Sequence, residues 1–89
     1  MKIRRHYIFY GRVQGVGFRW RAYHAAARSG VTGHVRNLID GSVEMEAEGS
    51  EENIDRMLAD ISASRFISIE DMDVKNIPML GDSSFYIDD

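Results

Sequence analysis

The sequence has 89 residues, of which 44% are hydrophobic and 28% are charged, and it contains no cysteine. This composition is typical of one small folded domain, residues 1–89, and excludes a disordered chain and a disulfide framework. It also excludes a thiolate as nucleophile or metal ligand. Because no apolar segment is long enough for a signal peptide or a membrane span, we expect a cytoplasmic protein that does not enter a membrane.

The charges are divided unevenly along the chain. Residues 1–36 hold eight lysine and arginine residues and no acid, whereas residues 37–89 hold all fourteen acids and three cations. An acid-free first third favours an anionic ligand near its elements. For any single arginine, pairing with the acidic part across the fold is an equally good explanation.

The first third of the chain predicts a strand, a glycine turn and a helix. Residues 4–13 ("RRHYIFYGRV") are rich in aromatic and β-branched side chains, as in a buried strand. A helix is predicted from Phe18 to Ser29, ended by Gly30. Its apolar face has the helical spacing of Phe18, Ala22, Ala25, Ala26 and Ser29. Trp20, Tyr23 and Phe9 are expected to pack in the core.

The middle of the chain predicts a hairpin. Residues 31–38 ("VTGHVRNL") alternate in polarity, and residues 42–49 ("SVEMEAEG") alternate again. Asp40-Gly41 between them is a strong turn signal, because the turn needs positive φ. In the second segment, Glu44, Glu46 and Glu48 are expected to face water.

The last part predicts a second helix and two strands. Ser50 suits an N-cap, and Ile54, Met57, Leu58 and Ile61 follow at helical spacing. Residues 68–77 suggest a strand with one bulge, and residues 84–87 suggest a short closing strand. The order strand, helix, strand, strand, helix, strand predicts an α+β, ferredoxin-like βαββαβ fold, an antiparallel sheet with two helices on one face. Many unrelated activities use this fold, so it does not define a function.

The turn in "YGRVQGVGFRW", residues 10–20, has the features of an anion site. It joins a strand to a helix N-terminus, where main-chain N–H groups lack helical partners and the helix dipole favours negative charge. Gly15 and Gly17 can adopt positive φ, and the N–H groups of residues 14–18 could form a nest. Arg19 adds a planar fork that matches two phosphate oxygens. The turn matches neither the Rossmann nor the Walker pattern, and a simple bend explains the glycines equally well.

Asn37 precedes the hairpin turn and is expected at the same end of the sheet as residues 14–19. Its amide can donate to and accept from one water molecule. Asparagine is also common beside an Asp-Gly turn for conformational reasons alone.

Two segments together resemble a known family. "GRVQGVGFR", residues 11–19, followed by "GHVRNLIDGSVEMEAEG", residues 33–49, closely resembles the acylphosphatases, small ferredoxin-like enzymes that hydrolyse carboxyl-phosphate anhydrides. The resemblance is strong over residues 8–61. It then fades, with "SASRFIS" in place of a Gly-Pro loop.

The resemblance implies specific roles for the site residues. Arg19 would bind phosphate, Asn37 would orient the attacking water, and the backbone of Gln14, Gly15, Val16, Gly17 and Phe18 would cradle the phosphoryl group. The substrate would be a small acyl phosphate and inorganic phosphate a product, with no cofactor and no metal. A monomer is expected, with no nucleic-acid partner.

Two other interpretations remain. An RNA-binding domain of the RRM type shares the element order, although the third strand has acids where that family places aromatic residues. The N-terminal module of carbamoyl-transferring hydrogenase maturation proteins is also similar to acylphosphatases.

A metal site is not expected, because His6, His24 and His34 lack metal-ligand spacing.

Overall fold

The structure is a computed structural model that describes residues 1–88. Within these residues, two helices and five strands follow one another along the chain. In order they are β1 (Lys2–Arg12), α1 (Phe18–Ser29), β2 (Thr32–Asn37), β3 (Val43–Ser50), α2 (Glu51–Ser62), β4 (Ser68–Ile77) and β5 (Phe85–Ile87).

The five strands form one sheet in the order β4-β1-β3-β2-β5. The first four are antiparallel to their neighbours, whereas β5 joins β2 in parallel, with Val35 opposite Ile87. The ferredoxin-like class predicted from the element order is confirmed, and the closing strand makes the sheet mixed. The β2–β3 hairpin and the end of β1 therefore share one end of the sheet.

Both helices cover the same face of the sheet. Their buried side chains join those of the strands in one core cluster, in which Tyr7 and Phe9 stack with ring centroids 5.3 Å apart. The alanines on the buried face of α1 let this helix approach the sheet closely. No helix within residues 1–88 has the length and apolar character needed to cross a membrane.

The local signals in the sequence have their expected consequences. Gly30 ends α1 with φ 67°, and its N–H donates to the carbonyl of Ala26. The hydroxyl of Ser50 accepts from the N–H of Asn53, 3.1 Å away, and caps α2, which is typically worth about 1 kcal/mol. Gly41 has φ 94° in the hairpin turn.

The predicted bulge in β4 is also confirmed. Tyr10 pairs with Asp71 and Gly11 with Ile69, so that Glu70 is the extra residue. Gly11 has φ 126° there, and a Cβ at this position would lie 2.3 Å from the carbonyl oxygen of Ser68. Only glycine fits this close approach of the two strands.

The glutamate row of β3 differs from the prediction. Glu44, Glu46 and Glu48 lie on the sheet face opposite the helices, but they are buried or half-buried rather than solvated. Neighbouring strands supply cations, because β1 and β2 flank β3 in the sheet. Arg4, whose side chain is fully buried, contacts Glu46 at 2.8 Å and Glu48 at 3.0 Å. The alternation of polar and apolar residues in β3 correctly placed the glutamates on one sheet face, but it could not show the cations of neighbouring strands that bury them.

Ion pairs across the fold explain much of the uneven charge distribution. Arg5 contacts Glu51 and Asp55, and Arg36 contacts Glu44. Arg21 and Arg28 both contact Asp60 on α2. The acid-free first third is therefore not in itself evidence for an anionic ligand, and only the turn after β1 still indicates one.

The glutamates of β3 should make folding stability sensitive to acid. Hydrogen bonds from His6 and Arg36 lower the pKa of Glu44. The N–H groups of Leu80 and Gly81, together with Arg4, lower the pKa of Glu48. Because both values lie below the ordinary 4.5, the unfolded chain binds more protons than the folded one under acid conditions. The free energy of unfolding should be fully retained above pH 4.5 and fall as the pH drops through the lowered values.

Urea unfolding of Glu48→Gln at pH 7 and at pH 3 tests this expectation. The variant should be less stable than the wild type at pH 7, and the difference should shrink at pH 3, because below pH 4.5 the unfolded wild-type chain binds a proton more readily than the folded one. Glu52→Gln on the exposed surface of α2 is the matched control. An equal stability deficit of Glu48→Gln at both pH values would contradict the assignment.

Candidate active site

A pocket of about 310 Å³ opens at the end of the sheet where β1 ends and α1 begins. Its polar lining comes from the glycine turn, from Arg19 and from Asn37. Its apolar lining comes from α1, from β5 and from Val13, which follows β1. The lining residues are Val13, Gly15, Gly17, Phe18, Arg19, Trp20, Asn37 and Ile87.

The glycine turn has the backbone shape of an anion site. Gly15 has φ 71° and Gly17 has φ 80°, both in the left-handed region. A Cβ at either position would meet no atom of the described chain within 4 Å. Glycine is therefore needed at these positions for its positive φ and not for lack of space, since the main chain faces open space. Alternation of left-handed and ordinary residues turns successive N–H groups toward one side, as in a nest.

The N-terminus of α1 provides further donors. Gly17 is its N-cap, and among the described residues no side chain caps this end. The first helical hydrogen bond runs from the N–H of Arg21 to the carbonyl of Gly17 at 2.9 Å. The N–H groups of residues 18–20 thus have no helical partner, and the first turn contains no acid that would oppose a bound anion.

The β2–β3 turn holds Asn37 at the pocket. Asn37 is the last residue of β2 and is half-buried opposite Val43. The turn beyond it is closed by the N–H of Leu38, which donates to the carbonyl of Ser42 at 2.9 Å. Hydrogen bonds from the hydroxyl and N–H of Ser42 lower the pKa of the Asp40 carboxyl, which therefore stays ionised as an acceptor in the turn.

Gln14 ties the glycine turn to the β2–β3 turn. Its side-chain amide nitrogen donates to the carbonyls of Leu38 at 2.7 Å and Ser42 at 2.9 Å. The segment that carries Gly15 and Gly17 is thereby held against the segment that follows Asn37. The sequence suggested only a backbone role for Gln14, because a glutamine side chain gives no signal of its partners.

Comparison with known protein families gives a match over most of the chain. The acylphosphatase family model matches residues 5–87, which includes the last two strands. This chain belongs to the acylphosphatase family. The family match therefore extends past residue 61, where the resemblance of the sequence segments fades.

Individual members of the family are similar to this chain over most of its length. An acylphosphatase of Clostridium acetobutylicum is 46% identical over 69 residues, which are 76% of each chain. The crystal structure of acylphosphatase from Bacillus subtilis has 35% identity and a TM-score of 0.87, covering 98% of each chain. The structure of HypF from T. kodakarensis has 36% identity and a TM-score of 0.76, but this chain spans only 12% of it. The acylphosphatase fold therefore also occurs within a larger protein.

The structure places the site residues predicted from the sequence as follows. Arg19, Asn37 and the backbone of Gly15 and Gly17 line one pocket. Phe18 begins α1 with its side chain buried, and Val16 packs partly against the core. Within residues 1–88 no group of three or more histidine, aspartate or glutamate side chains could hold a metal ion.

The prediction that Trp20, Tyr23 and Phe9 all lie in the core was wrong for two of them. Phe9 is fully buried, whereas Trp20 is 64% exposed and Tyr23 is 41% exposed. The small residues Ala22, Ala25 and Ala26 form the buried face of α1, and the two aromatic side chains project from its other sides. Val13 and Ile87 also line the pocket, and they were not predicted from the sequence because their places depend on the tertiary fold.

Proposed function

We propose that this member of the acylphosphatase family hydrolyses the carboxyl-phosphate bond of acyl phosphates, releasing a carboxylate and inorganic phosphate. The supporting observation is that one pocket joins the left-handed glycine turn, the N-terminus of α1, Arg19 and Asn37. This combination offers main-chain donors, a cation and an amide to one ligand. The names of the similar proteins support the same substrate class.

The phosphoryl group would bind at the mouth of α1. Main-chain N–H groups of Gln14 to Phe18 would donate to its oxygens, and the dipole of α1 would favour its negative charge. Arg19 would add two parallel hydrogen bonds from its guanidinium. Because these donors are fixed by the fold, they would need little reorganisation as charge shifts in the transition state.

Asn37 would orient the water molecule. The water oxygen forms a bond to phosphorus while the bond between phosphorus and the bridging oxygen breaks, and the bonding electrons leave with the carboxylate. The water protons pass to the phosphate product and to solvent. Since a carboxylate is a good leaving group, the reaction depends mainly on positioning and charge stabilisation, as is usual for phosphoryl transfer.

The sheet face opposite the helices does not favour an RNA-binding function. An RRM-type domain would present stacking aromatic residues on its central strands. Here the central strand β3 presents Glu44, Glu46 and Glu48, which pair with cations of neighbouring strands. The centre of that face is therefore made of ion pairs rather than of aromatic rings on which RNA bases could stack.

Incubation of the purified protein with benzoyl phosphate tests the proposal. Loss of the anhydride should be faster than in buffer, and inorganic phosphate should inhibit competitively because it occupies the phosphoryl site. A rate equal to that of the uncatalysed reaction would reject the proposed function. Metal-free buffer with a chelator should give the same rate, since the expected chemistry uses main-chain donors and Arg19.

Gln14→Ala should lower kcat by about tenfold to a hundredfold, because small misplacements of catalytic groups have effects of that size. Loss of its two hydrogen bonds would let the glycine turn move relative to Asn37. Steady-state kinetics with benzoyl phosphate measure the change.

The control for the Gln14 experiment is Ser50→Ala. It removes the cap of α2 at the opposite end of the sheet, so that it lowers stability without touching the pocket. If Ser50→Ala reduced kcat as much as Gln14→Ala, the effect would be one of stability and the positioning role would be rejected.

The remaining features of the proposal come from the sequence. We infer that residues 1–89 act as a single domain, as a monomer, in the cytoplasm and without a cofactor. The absence of cysteine supports a reducing compartment. Sedimentation at several protein concentrations would test the monomer, since a dimer would show a concentration-dependent mass.

A further inference from the structure

Trp20 forms an exposed apolar wall of the same pocket that contains Arg19. The side chain is 64% exposed, although tryptophan is highly buried on average in folded proteins. Its ring contacts His24 edge-on, with centroids 4.3 Å apart, and lies near the ring of Tyr23 at 6.3 Å. The ring is thus supported along α1, but much of its surface has no protein partner.

The pocket lining includes apolar side chains besides the groups that would bind the phosphoryl group. Arg19 and Trp20 are consecutive in α1 and so point about 100° apart around the helix. Both nevertheless line the pocket, together with Ile87 on β5, the edge strand next to β2. The pocket lining therefore combines the glycine turn and its donors with apolar side chains from α1 and β5.

The size of the pocket agrees with a ligand larger than phosphate. A volume of about 310 Å³ corresponds to the space of about ten water molecules, so that a phosphoryl group fills only part of it. The rest is available to the other half of the substrate. Binding pockets commonly combine a few polar groups that fix orientation with apolar walls that cover the remainder of the ligand.

We propose that Trp20 and Ile87 form a subsite for the acyl group, which makes the enzyme prefer acyl phosphates with aromatic or bulky apolar acyl groups over those with small ones. This inference rests on the proposed hydrolase function and adds its substrate class. Trp20 offers a flat apolar face to the acyl group, and aromatic pairs gain about 0.5–1.5 kcal/mol beyond simple burial. The preference for aromatic acyl groups should therefore arise mainly from their contact with the Trp20 ring.

The test compares benzoyl phosphate with acetyl phosphate as substrates. The ratio of their kcat/KM values should fall about threefold to tenfold in Trp20→Ala, as expected from an aromatic contact. Trp20→Phe should recover most of the ratio, because it keeps an aromatic face. Phe66→Ala is the matched control, since Phe66 is a 56% exposed aromatic residue between α2 and β4 that lies outside this pocket, and it should keep the wild-type ratio.

The outcomes separate the two proposals. Hydrolysis of both substrates with the same ratio in Trp20→Ala and the wild type would overturn the acyl subsite and leave the hydrolase function standing. Hydrolysis of neither substrate by the wild type would reject the hydrolase function and the subsite with it. A fall of the ratio in Phe66→Ala as large as in Trp20→Ala would also overturn the specific role of Trp20.

Fluorescence gives a second readout that does not depend on turnover. Trp20 is the only tryptophan of the chain, so that its emission reports on this subsite alone. Phenacylphosphonate, in which a CH₂ group replaces the bridging oxygen of benzoyl phosphate, should change the emission strongly. Inorganic phosphate should change it much less. Equal changes with the two probes would contradict contact between Trp20 and the acyl group.

Discussion

Replacement of Arg19 by alanine is expected to abolish measurable hydrolysis of benzoyl phosphate. Removing one fixed donor from a transition state typically lowers kcat by about 10²–10³, and the loss of a cation that donates twice should be at least as large. Arg19 lies in the first turn of α1 and lines the pocket beside Gly17. Binding of inorganic phosphate, measured by isothermal titration calorimetry, should be lost together with activity, because the same guanidinium would hold substrate and product.

Two further variants show whether charge or geometry matters at residue 19. Arg19→Lys keeps the charge but not the planar fork, so it should remain strongly impaired. Arg12→Ala removes an equal charge from an exposed residue of the same segment that does not line the pocket, and it should be close to wild type. Normal turnover by Arg19→Lys would contradict the bidentate contact.

Replacement of Asn37 by alanine should lower kcat strongly while phosphate inhibition remains. Asn37 lies at the end of β2 and lines the same pocket as the glycine turn, and it is proposed to act on water rather than on the phosphoryl group. Loss of correct water placement is expected to cost about a hundredfold in rate. Steady-state kinetics and the inhibition constant of inorganic phosphate, measured on the same preparation, separate the two effects.

Asn76→Ala is the control for Asn37. Asn76 is an exposed asparagine on β4, which pairs with Arg5 well away from the pocket end of β1. It should behave like the wild type. If Asn37→Ala lost its affinity for inorganic phosphate with kcat unchanged, Asn37 would be a phosphate ligand and the proposed role would be wrong.

Local chemistry made most of the fold predictable. Gly30 and Ser50 cap helices through contacts within a few residues, and Gly41 provides the positive φ that the hairpin needs. These requirements are visible in a single sequence because they involve neighbours along the chain. The pocket end of the sheet followed from element order, which puts the end of β1 and the β2–β3 turn on the same side.

Features that depend on distant partners could not be read in the same way. Glu48 is buried because Arg4 and the N–H groups of Leu80 and Gly81 surround it, and these contacts come from other strands and a loop. The exposure of Trp20 depends on which face of α1 packs against the sheet. The alanine-rich face packs there, which leaves Trp20 on an exposed side of the helix. The partners of Gln14 similarly lie more than twenty residues away in sequence.

Hydrolysis of benzoyl phosphate in ¹⁸O-labelled water tests most directly which atom the site prepares for attack. If the glycine turn and Arg19 hold the phosphoryl group while Asn37 directs water to phosphorus, the label must appear in inorganic phosphate and not in benzoate. Mass spectrometry of inorganic phosphate and benzoate after the hydrolysis shows which product contains the label. Label in benzoate would mean that water attacks the carbonyl carbon, and it would contradict a site built for phosphoryl transfer.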